Sequence, residues 1–202
     1  MDGYVQISLS KMISAVGEDK AKAVLSSFSC PLNKDVEDFL RHKAVVFSQQ
    51  SIAETHLVFA SHKGIGRLIA YYTIAMKSVH IPQKHITNTL AKKINKFGVY
   101  DRGIRAYIIP SVLIAQLSKN YDDGLENMIS GDELIRLALD RICSAQEILG
   151  GKLIYVECED KPSLTKFYSR HGFIRFGTRN LDRDEEALLS GEYLVQMLKY
   201  GL

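Results

Sequence analysis

Apolar and polar residues alternate over 4–9, a period of two that predicts a first strand, and 18–27 places Ala21, Val24 and Leu25 on one side of a short helix. Cys30 and Pro31 interrupt, and apolar positions then return at helical spacing over 35–50 as Val36, Phe39, Leu40, Val46 and Phe47. Asn33 or Asp35 is placed to cap that helix. Two runs rich in β-branched and aromatic residues follow, 56–60 and 68–79, separated by His62-Lys63-Gly64; they predict antiparallel neighbours joined by a tight turn. Residues 82–105 carry a weaker helical pattern (Leu90, Ile94, Phe97) and read as an excursion from the core.

The strongly apolar stretch 106–117 contains Pro110, which has no N–H for a ladder, so 112–117 is the surer strand. A turn-rich connection over 120–130 leads into a helix from Gly131 to about Leu149, with Leu134, Ile135, Leu137, Ala138, Ile142 and Ala145 inward and Gly150-Gly151 ending it. A strand at 152–158, a helix at 163–170, a strand after Gly172 and a last strand at 193–200 complete the pattern. The strand, helix, strand, helix order from 112 to 170 is a right-handed crossover unit, so its two strands should lie parallel; the flanking strands, joined by turns, are expected to be antiparallel.

The 202 residues suit one domain, 1–202, and 46% hydrophobic with 24% charged residues is a globular composition with no run able to span a bilayer. The first nine residues lack a cationic stretch followed by an apolar one, so no signal peptide is read there and a cytoplasmic location is expected. Three scattered cysteines, Cys30, Cys143 and Cys158, and six histidines in different elements show no metal-ligand spacing, so no metal is expected. A net charge of +3 matters through its placement: Lys84, Lys92, Lys93, Lys96, Arg102 and Arg105 gather in 82–105, an inserted basic segment.

Two places carry candidate chemistry. A strand end and loop leading onto a helix start, Leu117-Ser118-Lys119 and then Ser130-Gly131-Asp132, form an anion site in outline, because first-turn N–H groups have no partner inside a helix. The second is Ile154-Tyr155-Val156-Glu157-Cys158 followed by Lys166-Phe167-Tyr168-Ser169-Arg170-His171-Gly172-Phe173. This strand, helix and FYxxxGF pattern resembles the last third of the GNAT (GCN5-related) N-acetyltransferases. Residues 68–75 look like that family's third strand, and 109–117 resemble the fourth strand of the branch containing the tRNA-acetylating toxins.

The resemblance implies an α/β (α+β) GNAT fold, with a central mixed twisted sheet of about seven strands, helices on both faces and a V-shaped splay between its fourth and fifth strands. It implies an N-acetyltransferase with acetyl-CoA as co-substrate. Leu117 and Lys119 would bond the pantetheine arm, and Met128, Ile129, Ser130, Gly131 and Asp132 would receive the pyrophosphate. Tyr168 would protonate the departing CoA thiolate. Lys161, where many relatives have an asparagine, would either reach a CoA phosphate or stand solvated at a helix start. The loop departs from the family's Gln/Arg-x-x-Gly-x-Gly/Ala motif, reading Glu126-Asn127-Met128-Ile129-Ser130-Gly131, and no carboxylate lies in 106–119 to serve as base. That leaves water, or Glu157, to take the amine's proton. The acceptor stays open between a small amine, a protein amine and aminoacyl-tRNA; an antitoxin and a second copy of the chain are further candidate partners. A GNAT-fold interaction module without CoA chemistry is the competing reading.

Overall fold

Val5–Ser8 forms β1, and the helical phase begins at once after it: Leu9, Met12, Ile13 and Val16 recur every three or four residues and make α1, Leu9–Val16. The computed structural model describes residues 3–183, 185–189 and 191–201. α2 is Glu18–Leu25. α3, Lys34–Asp38, starts at Asn33, whose side chain accepts from the N–H groups of Asp35 and Val36, and it runs through a π turn, Phe39–Lys43, into α4, Ala44–Gln49. β2 is Glu54–His62 and β3 is Ile65–Pro82, antiparallel as expected. Lys63 and Gly64 both adopt positive φ (54° and 80°), the two-residue turn that suits the twist of a hairpin.

α5 is Asn88–Ile94, β4 is Val99–Asp101 and β5 is Ala106–Lys119. β5 runs straight through Pro110 because that residue falls between the ladder to β4, which ends at Ile108, and the ladder to the next strand, which begins at Val112. α6, Gly131–Leu149, buries Leu134, Ile135, Ala138, Leu139 and Ile142, with Leu137 and Ala145 half-buried. Gly150 and Gly151, both at positive φ, stop it. β6 is Leu153–Glu159, α7 Pro162–Arg170, β7 Ile174–Asn180 and β8 Tyr193–Tyr200.

The strand order is β1-β2-β3-β5-β6-β8-β7, with β4 added on β5; β4 is the eighth strand beyond the seven expected. β5 and β6 are parallel, and β8 is antiparallel to both β6 and β7. The sheet is therefore mixed, as the crossover argument required.

The chain divides into two compact units, residues 1–75 with 115–141, and residues 76–114 with 142–202. The first has its own apolar core of Leu9, Leu25, Phe28, Leu40, Leu57 and Tyr71, each fully buried. Each such side chain contributes about 1.5–3 kcal/mol of burial. Tyr71 keeps its hydroxyl satisfied there by donating to the Val36 carbonyl at 2.5 Å. The second unit packs Ile81, Ile94, Ile109, Tyr155, Phe176 and Leu198 together, with Leu90 and Phe97 against them. The basic segment thus puts its apolar side into that core while Lys84, Lys92, Lys93, Lys96, Arg102 and Arg105 stay exposed. No helix among the described residues is long and apolar enough to cross a membrane.

Candidate functional site

The predicted site residues divide between the two units: Leu117, Lys119 and 128–132 belong to the first, Lys161 and Tyr168 to the second. In the second unit β5 and β6 pair over three residues only, Val112–Ile114 with Ile154–Val156.

Lys119 is used locally. Its Nζ donates to the Glu126 carbonyl at 2.8 Å and stands 5.9 Å from the Tyr121 ring, bracing the loop over 120–130 rather than reaching outward. Asn120 beside it is almost wholly buried. It donates to the Leu68 carbonyl (2.8 Å) and accepts from the N–H groups of Ser29 and Asp122 (both 3.0 Å), pinning the strand end to two other segments. Ile129 is buried at 2% exposure and is a packing residue; Ser130 is exposed.

At the α6 start Ser130 and Glu133 form a reciprocal cap. The Glu133 carboxylate accepts from the Ser130 N–H (2.8 Å) and hydroxyl (2.7 Å), and the hydroxyl accepts from the Glu133 N–H (3.1 Å). The S-x-x-E spacing of Ser130 and Glu133 is the signal for this box in the sequence, a span that also contains Gly131.

Tyr168 lies on α7 with its ring edge-on to Phe167 and Phe173, and it is 8% exposed. Among the described residues its hydroxyl has no hydrogen-bond partner. Burial, and secondarily the nearby Cys158 sulfur, push the phenol well above its ordinary range, so it is protonated at any physiological pH. Burial likewise raises the Cys158 thiol to about 11, which makes it a poor nucleophile. Lys161 donates to the buried Glu159 carboxylate at 2.8 Å as it enters α7.

Glu157 shares the β6 face of Tyr155. Burial alone would raise its carboxyl; the hydrogen bonds from Arg179 and Tyr155, with the charge of Lys77 at 3.4 Å, outweigh it and leave it below the ordinary value. Both of its carboxylate oxygens are thus engaged, by Arg179, Tyr155 and Lys77. Arg179 extends the network to Glu185. Tyr155 passes it to Gln196, whose amide donates to the phenol oxygen at 2.7 Å.

Gln196 also lines a cleft of about 580 Å³ in the second unit with His80, His85, Phe176 and Gly177. His80 and His85, five residues apart at the end of β3 and just past it, both face this cleft. No group of three metal-ligating side chains occurs among the described residues.

No protein-family model and no curated protein matches the chain. Solved structures do. A tyrosine-to-phenylalanine mutant of KacT superposes with a TM-score of 0.62 at 16% identity, over 96% of this chain and 94% of that one. AtaT complexed with acetyl-methionyl-tRNAfMet gives 0.59 at 17% identity, over 95% and 93%. A structure described as a bacterial toxin gives 0.64 at 14% identity, over 99% and 92%. With this strand order, the three-residue parallel ladder and these neighbours, the chain has the GNAT fold.

Proposed function

We propose that the protein is an acetyl-CoA-dependent N-acetyltransferase whose acceptor is a primary amine. The observation that carries this reading is Tyr168: a buried phenol, kept protonated and without a hydrogen-bond partner among the described residues, inside the full FYxxxGF pattern. An acid held protonated in this way suits protonation of a leaving thiolate. The amine nitrogen attacks the thioester carbonyl, the C–N bond forms and the C–S bond breaks, and the Tyr168 hydroxyl gives its proton to sulfur. Water carries the amine's proton away and restores the phenol, since Glu157 is committed to Arg179. Leu117 and Lys119 offer main chain to the pantetheine arm, residues 128–132 receive the pyrophosphate, and Lys161 serves the helix start through Glu159.

The acceptor favoured is the α-amino group of an aminoacyl-tRNA. The six exposed lysines and arginines of 82–105 suit a phosphate backbone, and AtaT, a neighbour in fold, has been solved with an acetylated aminoacyl-tRNA. AtaT has also been solved bound to its antitoxin AtaR, which supports a protein partner that restrains this activity. Transfer of labelled acetyl from acetyl-CoA to charged tRNA, peptides and small amines, compared side by side, tests the acceptor. Failure of acetyl-CoA both to stabilise the protein and to label any amine would leave only an interaction module.

A further inference from the structure

The reciprocal cap at the start of α6 puts a carboxylate where the proposed donor brings its most negative group. We propose that Glu133 is an internal competitor for the CoA pyrophosphate, and that donor binding requires its carboxylate to leave the Ser130 N–H. This rests on the acetyl-CoA reading and adds a residue that sets how tightly the donor is held.

Three observations support it. The carboxylate takes both the N–H and the hydroxyl of Ser130, at 2.8 and 2.7 Å, so one of the loop donors expected to meet phosphate oxygen is already engaged. Those bonds from Ser130 hold the carboxyl below its ordinary value, so it is charged at neutral pH. Tyr4 braces the arrangement: its hydroxyl lies 2.9 Å from the Met128 carbonyl oxygen and 3.3 Å from Glu133 Oε1, tying the loop and the carboxylate to the segment before β1. A diphosphate arriving here meets a fixed negative charge in place of an open N–H. Neutralising the charge while keeping the cap should therefore favour the donor.

Glutamine serves this purpose, because Gln at the same position completes the same capping box. The test is calorimetric titration of the full chain with acetyl-CoA and with S-acetylpantetheine, which lacks the diphosphate. Glu133→Gln is expected to tighten acetyl-CoA by about threefold to tenfold, the scale of one charge at a helix N-terminus, and to leave S-acetylpantetheine unchanged. The melting temperature reports whether the cap survives. Tyr4→Phe, which frees the carboxylate without touching the box, is a second variant expected to tighten acetyl-CoA to a smaller degree. Unchanged or weaker acetyl-CoA binding in a folded Glu133→Gln protein would overturn the proposal. Equal tightening of both ligands would also overturn it, since the pyrophosphate would then not be the group sensed. If neither the wild type nor the variant bound acetyl-CoA, the donor reading itself would fall.

Discussion

Arg179 grips Glu157 with two parallel bonds, Nε to Oε1 at 3.0 Å and Nη2 to Oε2 at 2.9 Å, the geometry in which a guanidinium and a carboxylate interact most strongly. Glu157 is 10% exposed in its side chain and Arg179 23%, so water screens the pair little. Glu157→Gln is expected to cost about 2 kcal/mol, below the usual loss for a buried pair because Arg179 retains Glu185. The folded carboxyl is depressed. Its contribution is therefore complete above the unfolded value of roughly 4.3 and is lost as pH falls through the lower folded value. Acid unfolding followed by circular dichroism should be less steep in the variant, and a lost acidic limb in the pH–rate profile would instead mark Glu157 as the base.

Removing the Tyr168 hydroxyl should separate chemistry from folding. Tyr168→Phe deletes a group that makes no hydrogen bond among the described residues, so the melting temperature should move little while kcat falls by about 10²–10⁴. Because burial holds the phenol far above neutrality, the wild-type profile should show no loss of rate below pH 10 from its ionisation. Measured turnover unaffected by the substitution would remove Tyr168 from the chemistry.

Asn120 should be among the most sensitive positions in the first unit. At 1% exposure its side chain makes three hydrogen bonds, and alanine strands the Leu68 carbonyl and the Ser29 and Asp122 N–H groups together. The expected loss is roughly 2–4 kcal/mol in denaturant titration. A loss near zero would mean that water replaces the amide.

His56 supplies a pH dependence of its own. Buried and stacked on Tyr72 at 4.9 Å, its imidazole is lowered to about 4, first by burial and then by Arg141 and Lys11. The unfolded chain takes up that proton near pH 6.5, so stability is whole above about 6.5 and declines as pH falls towards 4. His56→Gln should abolish that part of the decline in melting curves taken across this interval.

The elements with strong periods were legible before any coordinates. α6 was placed from Gly131 to Leu149, and the parallel pairing of β5 with β6 followed from the crossover between them. α1 is hard to see in the sequence because Val5, Ile7 and Leu9 continue the strand period past the true end at Ser8, and the longer helical period of Leu9, Met12, Ile13 and Val16 starts on the same residue. Tyr168 stood out through its motif. The fate of the polar groups around it did not, because it depends on neighbours distant in sequence: Lys119 turns to the Glu126 carbonyl, and the Arg179 that neutralises Glu157 sits on another strand.

The boundaries between the two compact units fall at 75/76 in β3, 114/115 in β5 and 141/142 in α6, inside regular elements every time. Exchangeable modules usually meet at exposed, flexible linkers. Here a protease has no loop at which to release one unit intact, and a fragment ending at any of these points leaves a strand or helix cut mid-length with unpaired backbone. Anyone seeking to graft the tyrosine-bearing half onto another scaffold must therefore carry β3, β5 and α6 whole.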